Sequence, residues 1–231
     1  MTPLLRERGL VINYEPWLMD ELLPTDSISI LGGIGGARNT QIALELALSV
    51  ATGIGWHGKD VSPMQHVLYI TVDSQKKVAR RINTWKTRNN VLENPLLSIL
   101  SEPIDLLDKN QLRQLVTDIS YYNDENPVLV VFDLQQGLTS ESTPTRLLNS
   151  INFLRGELNS AFLLVFNEGS NDGDNSFIKL FNAADAVHAV TAIDDDLAVR
   201  VSCIKMKDFV KPDFVELDVS CVKSSKLGRY L

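Results

Sequence analysis

The chain has 231 residues, 44% of them hydrophobic and 22% charged, with a formal net charge of −7 at pH 7. This length and composition predict one domain with a full hydrophobic core, and the acidic balance excludes a surface that is cationic overall. The two cysteines, Cys203 and Cys221, lack metal-ligand spacing and are expected in strands of a reduced, cytoplasmic protein. No stretch approaches the roughly 18 apolar residues of a membrane span, so no membrane insertion is expected.

The chain divides into a lead-in segment (residues 1–26), a main domain (residues 27–222) and a basic tail (residues 223–231). Within the lead-in, residues 14–24 predict a short apolar helix or turn that Pro24 closes. Residues 27–31 predict the first strand. Residues 39–52 predict a helix that ends at Gly53, because glycine readily adopts the left-handed conformation found after helices.

Strands and helices then alternate. Strands buried on both faces are predicted from continuous apolar runs at residues 67–73, 128–133 and 161–167, with a shorter strand at residues 96–100. Apolar residues at helical spacing predict helices over residues 76–88, 109–122, 145–158 and 177–184. Alternating apolar and polar residues predict antiparallel strands over residues 185–193, 197–205 and 214–219, with an acidic turn at 194–196.

This order predicts an α/β domain with a mostly parallel central sheet, flanking helices and C-terminal antiparallel strands. In open α/β sheets, ligands bind beyond the carboxyl ends of the strands. The glycine-rich segment at residues 32–40 and the polar residues Asp73, Asp133 and Asn167 all lie at such ends. We therefore expect a ligand site where they meet.

The segment at residues 32–40 has the composition of a phosphate-binding loop. Glycine tolerates positive φ, so successive backbone N–H groups can turn inward and form a concave anion site. The helix that follows adds its free amides and its dipole. The candidate phosphate-binding residues are Gly32, Gly33, Gly35, Gly36, Ala37, Arg38, Asn39 and Thr40.

The amino-acid sequence of this segment departs from the phosphate-loop pattern G-x-x-x-x-G-K-[ST]. Counted from Gly32, Ala37 replaces the second glycine, Arg38 replaces the lysine, and Asn39 stands where a hydroxyl normally ligates Mg²⁺. Thr40 carries a hydroxyl one position late. The alternative is an ordinary turn between strand and helix that binds nothing.

A segment before the loop, residues 16–24, has the sequence Pro-Trp-Leu-Met-Asp-Glu-Leu-Leu-Pro. With this segment and the strands around residues 65–70 and 128–133, the chain resembles RecA-fold P-loop ATPases. It is most similar to the RepA-type plasmid and phage hexameric helicases and related AAA-type RecA-like ATPases. The resemblance covers residues 14–219 and implies a RecA-like core with ATP and Mg²⁺ as cofactors. The alternative is that the altered loop no longer binds nucleotide and the protein has no cofactor.

The resemblance also implies roles for residues outside the loop. Asp133 matches the aspartate that holds Mg²⁺, and Asp73 stands where the family has a catalytic acid, usually Glu followed by Asp. Asn167 falls at the position of a γ-phosphate sensor. Lys205 and Lys207 match a pair that reaches a neighbouring subunit's nucleotide in trans; a solvated strand end is the alternative.

Arg38 leaves two interpretations open. Its guanidinium could pair with phosphate in bidentate fashion, or it could pair with an acid such as Asp133 and fill an empty site. A separate cluster of cations on the helix over residues 76–88 is either a solvated face or a contact for a nucleic-acid backbone. Its members are Lys76, Lys77, Arg80, Arg81, Lys86 and Arg88.

The sequence thus predicts a RecA-like protein with a degenerate nucleotide site and weak or absent ATPase activity. Its expected role is a non-motor regulatory or structural subunit of a DNA-linked or other macromolecular assembly, with a protein partner or copies of itself. One alternative is an active, atypical ATPase of helicase or recombinase type. Another is a module that binds nucleotide without turnover.

Overall fold

The structure, a computed structural model, describes residues 16–34, 38–122, 125–133, 144–168, 180–193 and 198–218. The helices in these ranges are α1 (Asn39–Thr52), α2 (Gln75–Arg88), α3 (Lys109–Tyr122) and α4 (Pro144–Leu158), with a further helical turn at residues 180–183. The strands are β1 (Trp17–Met19), β2 (Leu23–Pro24), β3 (Ile28–Ile34), β4 (Val67–Thr71), β5 (Leu97–Leu100), β6 (Leu129–Asp133), β7 (Ala161–Glu168), β8 (Ala186–Ile193), β9 (Ala198–Met206) and β10 (Val215–Asp218).

Eight of these strands form one sheet in the order β10-β9-β8-β3-β7-β6-β4-β5. All pairings from β8 to β5 are parallel, whereas β8–β9 and β9–β10 are antiparallel. Strands β4 and β6 are buried at every position, which explains their continuous apolar runs. The predicted fold class is confirmed, with one adjustment: β8 is antiparallel only to β9 and pairs in parallel with β3.

Helices cover both faces of this sheet. Helix α1 is buried along almost its whole length and packs with Trp85 of α2 against one face, in a core that contains Leu31, Val131 and Leu163. Helices α3 and α4 pack against the other face, in a second core that contains Ile30 and Phe162. Successive side chains of a strand point to opposite faces, so each strand contributes to both cores.

The lead-in segment differs from its prediction. Residues 17–24 form the antiparallel pair β1–β2 rather than a helix, although residues 20–22 between the strands do turn. Leu18, Met19, Leu22 and Leu23 are buried in the same core as α1. The apolar residues that suggested a helix therefore seal one end of the α1 core as a hairpin, and this part of the lead-in packs as part of the main domain.

Most other boundaries agree with the sequence-based ones to within three residues. Helices α1 and α3 begin and end at the predicted residues, and Gly53 ends α1 with φ of 69°. Cys203 is buried in β9, as expected. Cys221, the turn at 194–196, the start of the helix over 177–184 and the basic tail lie outside the described residues. Among the described helices, none is long and apolar enough to cross a membrane.

Candidate functional site

The candidate site lies at the carboxyl edge of the parallel sheet. Strand register places Thr71 at the end of β4 beside Asp133 at the end of β6, and Asp133 beside Val165 of β7. On the other side of β7, Gly33 of β3 pairs with Asn167. The chain leaves β3 here and enters α1, so four consecutive strands and the first turn of α1 converge at this edge, as predicted.

Gly33 is the glycine whose position in β3 excludes any side chain. A Cβ atom built on Gly33 would lie 2.0 Å from the carbonyl oxygen of Val190 in β8. A Cβ on Gly32 would meet its nearest atom at 3.7 Å, an ordinary contact. The close approach of the β8 backbone therefore requires glycine at position 33, whereas position 32 has room for a side chain. Gly35, Gly36 and Ala37 lie outside the described residues.

Asp133 is the centre of a buried polar cluster. Its side chain is fully buried, and the Thr40 hydroxyl donates to one carboxylate oxygen at 3.0 Å while the Tyr69 hydroxyl donates to the other at 2.8 Å. The Tyr69 hydroxyl also lies 3.2 Å from the Thr40 carbonyl oxygen. This cluster joins the first turn of α1 to the neighbouring strands β4 and β6.

Burial governs the protonation of this cluster. Loss of hydration raises the pKa of Asp133 above its ordinary value, although the hydrogen bonds from Tyr69 and Thr40 favour the charged form. Burial, together with the adjacent Asp133 charge, raises the pKa of Tyr69 well above 10. Tyr69 is therefore a neutral hydrogen-bond donor. A cation beside Asp133 would relieve the cost of a carboxylate held in this environment.

The Thr40–Asp133 contact changes the register of the phosphate-loop comparison. In P-loop proteins, Mg²⁺ is held by the loop Ser or Thr and by the aspartate after a neighbouring strand. Thr40 contacts that aspartate, and the spacing G-x-x-x-x-G-K-[ST] ending at Thr40 begins at Gly33. The count from Gly32, which makes Thr40 one position late, does not fit this geometry. Counted from Gly33, Arg38 replaces the second glycine and Asn39 replaces the lysine.

Asn39 is buried, and its side-chain amide forms hydrogen bonds with backbone carbonyl oxygens. The amide nitrogen donates to the carbonyl oxygen of Phe166 in β7 at 2.8 Å and lies 3.5 Å from that of Gly33. Where the motif has a cationic side chain, this chain has a neutral one that ties α1 to β7. Arg38 is half-buried at the residue that precedes α1. Within the described ranges, the hydrogen bonds to Asp133 come from Thr40 and Tyr69, and both interpretations of Arg38 stay predictions.

Asp73, the candidate catalytic acid, lies two residues beyond β4 and is held in ion pairs. Its carboxylate accepts from Arg81 at 2.5 Å and from Lys77 at 3.3 Å, both on α2. Burial alone would raise the pKa of Asp73, but the hydrogen bonds and charges of Arg81 and Lys77 outweigh it and lower the pKa. A carboxylate with a lowered pKa and two cationic partners is a weak general base.

The remaining predicted residues are Asn167, at the same sheet edge, and Lys205 and Lys207, which lie elsewhere. Asn167 is positioned by its pairing with Gly33, and its side chain lies outside the described part of the structure. Lys205 donates to the backbone carbonyls of Phe181, Asn182 and Ala184 at 3.2, 2.8 and 2.6 Å. Lys207 pairs with Asp185 at 3.4 Å. Lys205 thus caps a helical turn within its own chain, and a role in trans would require it to leave those carbonyls.

The cations of α2 are not a uniform solvated face. Lys77 and Arg81 pair with Asp73, and Arg88 pairs with the buried Glu45 of α1 at 3.5 Å. Lys76 and Arg80 are exposed and make no ion pair in the described ranges. Three of the six candidate nucleic-acid contacts are therefore held in ion pairs within the chain.

Tyr69 is the site residue that the sequence did not reveal. It lies inside the apolar run of β4, where an aromatic side chain is expected to serve as core packing. Its position in the sequence could have indicated a role in the site. Tyr69 lies two residues before Thr71, on the face of β4 that also carries Val67 and faces α1.

The described residues fit a magnesium ion with nucleotide phosphates. Mg²⁺ prefers oxygen ligands, and the Asp133 carboxylate and Thr40 hydroxyl supply two at the start of α1, where phosphate would meet free backbone amides. No cluster of three or more His, Cys, Asp or Glu side chains suited to a metal occurs in the described ranges, so an all-protein cage of that kind is not present there. Asp133 and Thr40 would hold the ion with the help of the phosphates themselves.

The fold and this site define a RecA-like P-loop ATPase by class. The chain belongs to the family described as AAA domain, whose model matches residues 9–165. The fold is similar to that of flagellar accessory protein FlaH from Methanocaldococcus jannaschii, with a TM-score of 0.57, 11% identity, and 85% of this chain and 87% of that one covered. It is also similar to the RadB recombinase, with a TM-score of 0.57, 12% identity, and coverage of 86% and 90%. No curated protein sequence matches. The predicted membership of the RecA-fold P-loop ATPases is confirmed.

Proposed function

We propose that this chain is a RecA-like nucleotide-binding protein that binds ATP with Mg²⁺ but hydrolyses it slowly, and that it works in the cytoplasm as a non-motor regulatory or structural subunit of a macromolecular assembly. The observation that carries this proposal is the side chain at the lysine position. Asn39 is uncharged and its amide is bound to the Phe166 carbonyl, whereas Thr40 and Asp133 keep the contact expected of a magnesium pair.

Phosphoryl transfer depends on positive groups that neutralise the charge of the transferring phosphoryl group. Loss of one such oriented contact costs roughly 3–4 kcal/mol, or on the order of 100- to 1000-fold in rate. Asn39 cannot supply this charge, and the candidate base Asp73 is paired with Arg81 and Lys77. The chain keeps the magnesium pair but lacks a positive charge at Asn39 and an unpaired general base at Asp73. This combination supports ATP binding with little turnover.

The two fold neighbours support an assembly role in general terms only. One is named a flagellar accessory protein and the other a recombinase, so the same fold serves different processes. The proposal includes both a DNA-linked assembly and an assembly of another kind. It likewise includes both a protein partner and self-association.

Calorimetry with ATP in the presence and absence of Mg²⁺, together with phosphate-release kinetics, tests the proposal. We expect magnesium-dependent binding and very slow phosphate release. The double variant Arg38→Gly/Asn39→Lys restores the full phosphate-loop motif counted from Gly33. It should raise the rate of phosphate release on the order of 100-fold or more. The matched control, Ala37→Gly/Arg38→Lys/Asn39→Ser, writes the motif from Gly32 and should give no such gain. Absence of ATP binding in the wild-type chain would overturn the proposal.

An active, atypical ATPase is the second candidate, and the Thr40–Asp133 contact favours it. In that case the wild-type chain would release phosphate at a rate close to that of the Arg38→Gly/Asn39→Lys variant. The substitution Asp133→Asn would abolish that release. A nucleotide-sensing module would bind ATP with Mg²⁺ and release no phosphate.

A further inference from the structure

A cleft of about 400 Å³ lies between α3 and α4, on the face of the sheet opposite α1. Its walls are the matching sides of the two helices, since its residues recur at helical spacing of three and four positions. From α3 and the residues before it come Leu107, Lys109, Leu112 and Arg113, and from α4 come Arg146, Asn149, Ser150 and Phe153.

Among the described residues, the lining carries three cations and no carboxylate. Lys109, Arg113 and Arg146 are exposed, and none forms an ion pair within the described ranges. Lys109 and Arg113 are one helical turn apart on α3, and Arg146 faces them from α4. Three positive charges that converge on one cleft, in a chain with net charge −7, form a local site for an anion.

The rest of the lining is apolar or donates hydrogen bonds. Phe153 is 37% exposed, although it is a large aromatic side chain, and Leu112 is buried beneath the cleft. Asn149 and Ser150 add an amide and a hydroxyl. A ligand that satisfies all of these groups combines an anionic oxygen-rich part with a flat apolar part.

We propose that the α3–α4 cleft is a second binding site, distinct from the phosphate loop, that takes a nucleotide unit: its phosphate on Lys109, Arg113 and Arg146 and its base against Phe153. Guanidinium groups suit phosphate because they offer paired donors in one plane. Every base has a flat face, so stacking on an aromatic ring tolerates any base. The unit is either a free nucleotide or one residue of a single strand, since both present the same phosphate and base.

This site puts a nucleic-acid contact on α3 and α4 rather than on α2, where the sequence left such a contact as the alternative to a solvated face. On α2, Lys77, Arg81 and Arg88 are held by acids of the chain, so an incoming phosphate would have to displace those acids. In the cleft, no acid of the described chain has to be displaced. The cleft is also independent of the Thr40–Asp133 pair, so its failure and the failure of the proposed ATP site are separately observable.

The experiment measures binding of a fluorescein-labelled ten-residue oligothymidylate by anisotropy at several salt concentrations. In the variant Lys109→Gln/Arg113→Gln/Arg146→Gln, we expect at least a 10-fold loss of affinity. The slope of log affinity against log salt should shrink by about 0.7 for each lost phosphate contact. The matched control, Lys76→Gln/Arg80→Gln, removes two exposed, unpaired cations of α2 and should bind almost as the wild type does.

The ring of Phe153 is tested separately. Phe153→Leu should weaken binding about 5- to 100-fold, and Phe153→Tyr should retain it. Thymidine monophosphate is the second probe: competition at comparable concentrations identifies a free nucleotide as the ligand, whereas binding of the oligonucleotide alone identifies a strand, and both outcomes support the cleft. The magnesium-dependent part of ATP binding, which the Thr40–Asp133 pair is proposed to provide, serves as the folding control and should be unchanged on each variant.

Three results would overturn the proposal. The first is no binding of either probe to the wild-type chain. The second is loss of binding in the α2 control with retention in the cleft variant. The third is displacement of the oligonucleotide by polyglutamate together with indifference to Phe153→Leu, which would identify an acidic protein segment as the occupant.

Discussion

At the scale of single residues, Tyr69 determines how Asp133 is held. Its hydroxyl is one of two side-chain donors in the described ranges to a carboxylate that is fully buried. Removal of one donor leaves a charged acceptor partly unsatisfied, which costs about 1–3 kcal/mol. We therefore expect Tyr69→Phe to lower the free energy of unfolding by this amount in urea titrations. Tyr121→Phe, at a side chain that is 80% exposed, should change it by less than about 0.5 kcal/mol.

Arg81 holds Asp73 in its charged form. In Arg81→Ala, burial remains while the main positive partner leaves, so the pKa of Asp73 should rise, as carboxyl-detected NMR titration can measure. Arg81 is about one-third exposed and Lys77 stays in place, so the loss of stability at pH 7 should be modest, about 1–2 kcal/mol.

The pH dependence of this effect has a definite sign. A carboxyl whose folded pKa is lowered stabilises the protein above its ordinary pKa of 3.8, and this contribution is lost as the pH falls through the folded pKa. The difference between wild type and Arg81→Ala should therefore shrink below pH 3.8. Arg80→Ala, one residue away and without an ion pair in the described ranges, should show neither effect. Equal losses in both variants would contradict a specific role for Arg81.

The sequence predicted Asp73, Asp133 and Thr40 at one sheet edge, because the carboxyl ends of parallel strands meet there. It did not reveal which of them touch. The Thr40–Asp133 contact depends on the packing of α1 against β6, and the ion pair of Asp73 depends on the rotation of α2. A motif counted along the chain cannot choose between Gly32 and Gly33 as its start. The Thr40–Asp133 contact makes that choice, and the backbone of Val190 in β8, which is far away along the chain, requires glycine at Gly33.

At the scale of elements, two glycines are predicted to respond to alanine in opposite directions. Gly33→Ala places a Cβ against the backbone of Val190, so β3 or β8 must move, at a cost of about 1–3 kcal/mol or more. Gly156 lies in α4 with no atom within 4 Å of a built Cβ. Because alanine restricts the unfolded chain and favours helix, Gly156→Ala should add about 0.5–1 kcal/mol. Urea midpoints of the two variants should lie on opposite sides of the wild-type value.

The β1–β2 hairpin is fastened to the sheet by His188 of β8. The Nε2 of His188 lies 2.8 Å from the carbonyl oxygen of Leu22, while its Nδ1 is buried without a hydrogen-bond partner among the described residues. Burial lowers the pKa of His188 to about 4, so the ring is neutral near pH 7 and Nε2 donates. The hairpin, which the sequence predicted as a helix or turn, therefore depends on a side chain more than 160 positions away along the chain.

This histidine gives stability a dependence on pH. Between pH 6.5 and pH 4, the unfolded His188 binds a proton and the folded one does not, so the folded state loses stability as the pH falls. The full loss over this window is about 3 kcal/mol. In urea unfolding at pH 7 and pH 4.5, His188→Gln, which keeps a donor for Leu22, should show a smaller difference than wild type. An unchanged difference would assign the slope to other groups, such as His66, whose pKa burial also lowers.

At the scale of the whole molecule, the fold was the most predictable feature. Apolar runs and helical spacing are written locally along the chain, and alternation of strands and helices permits few topologies. The helix or turn predicted for residues 14–24 was the main error, because four buried apolar side chains within six residues (18–23) fit a helix turn and a tight hairpin equally well. The α3–α4 cleft could not be predicted, since its cations come from two helices whose neighbourhood in space is set by packing.

Ligand linkage provides a test on the whole protein. If Thr40 and Asp133 hold Mg²⁺ with ATP in the folded state alone, ATP–Mg²⁺ at 100 times its dissociation constant should add about 2.7 kcal/mol to the free energy of unfolding. The magnesium-dependent part of this gain should vanish in Asp133→Asn. A stabilisation that persists in Asp133→Asn would place the bound nucleotide elsewhere on the chain.

The position of β3 in the sheet also bears on how the protein is made. β3 precedes every other strand of the main sheet along the chain, yet both of its neighbours, β7 and β8, are synthesised late. The amide of Ile28 at its start bonds the carboxylate of Asp185, 157 positions further on. During translation, β3 and the apolar helix α1 emerge long before the strands that cover them. Such long-range pairing slows folding and leaves apolar surface uncovered, which makes the nascent chain a natural client for chaperones.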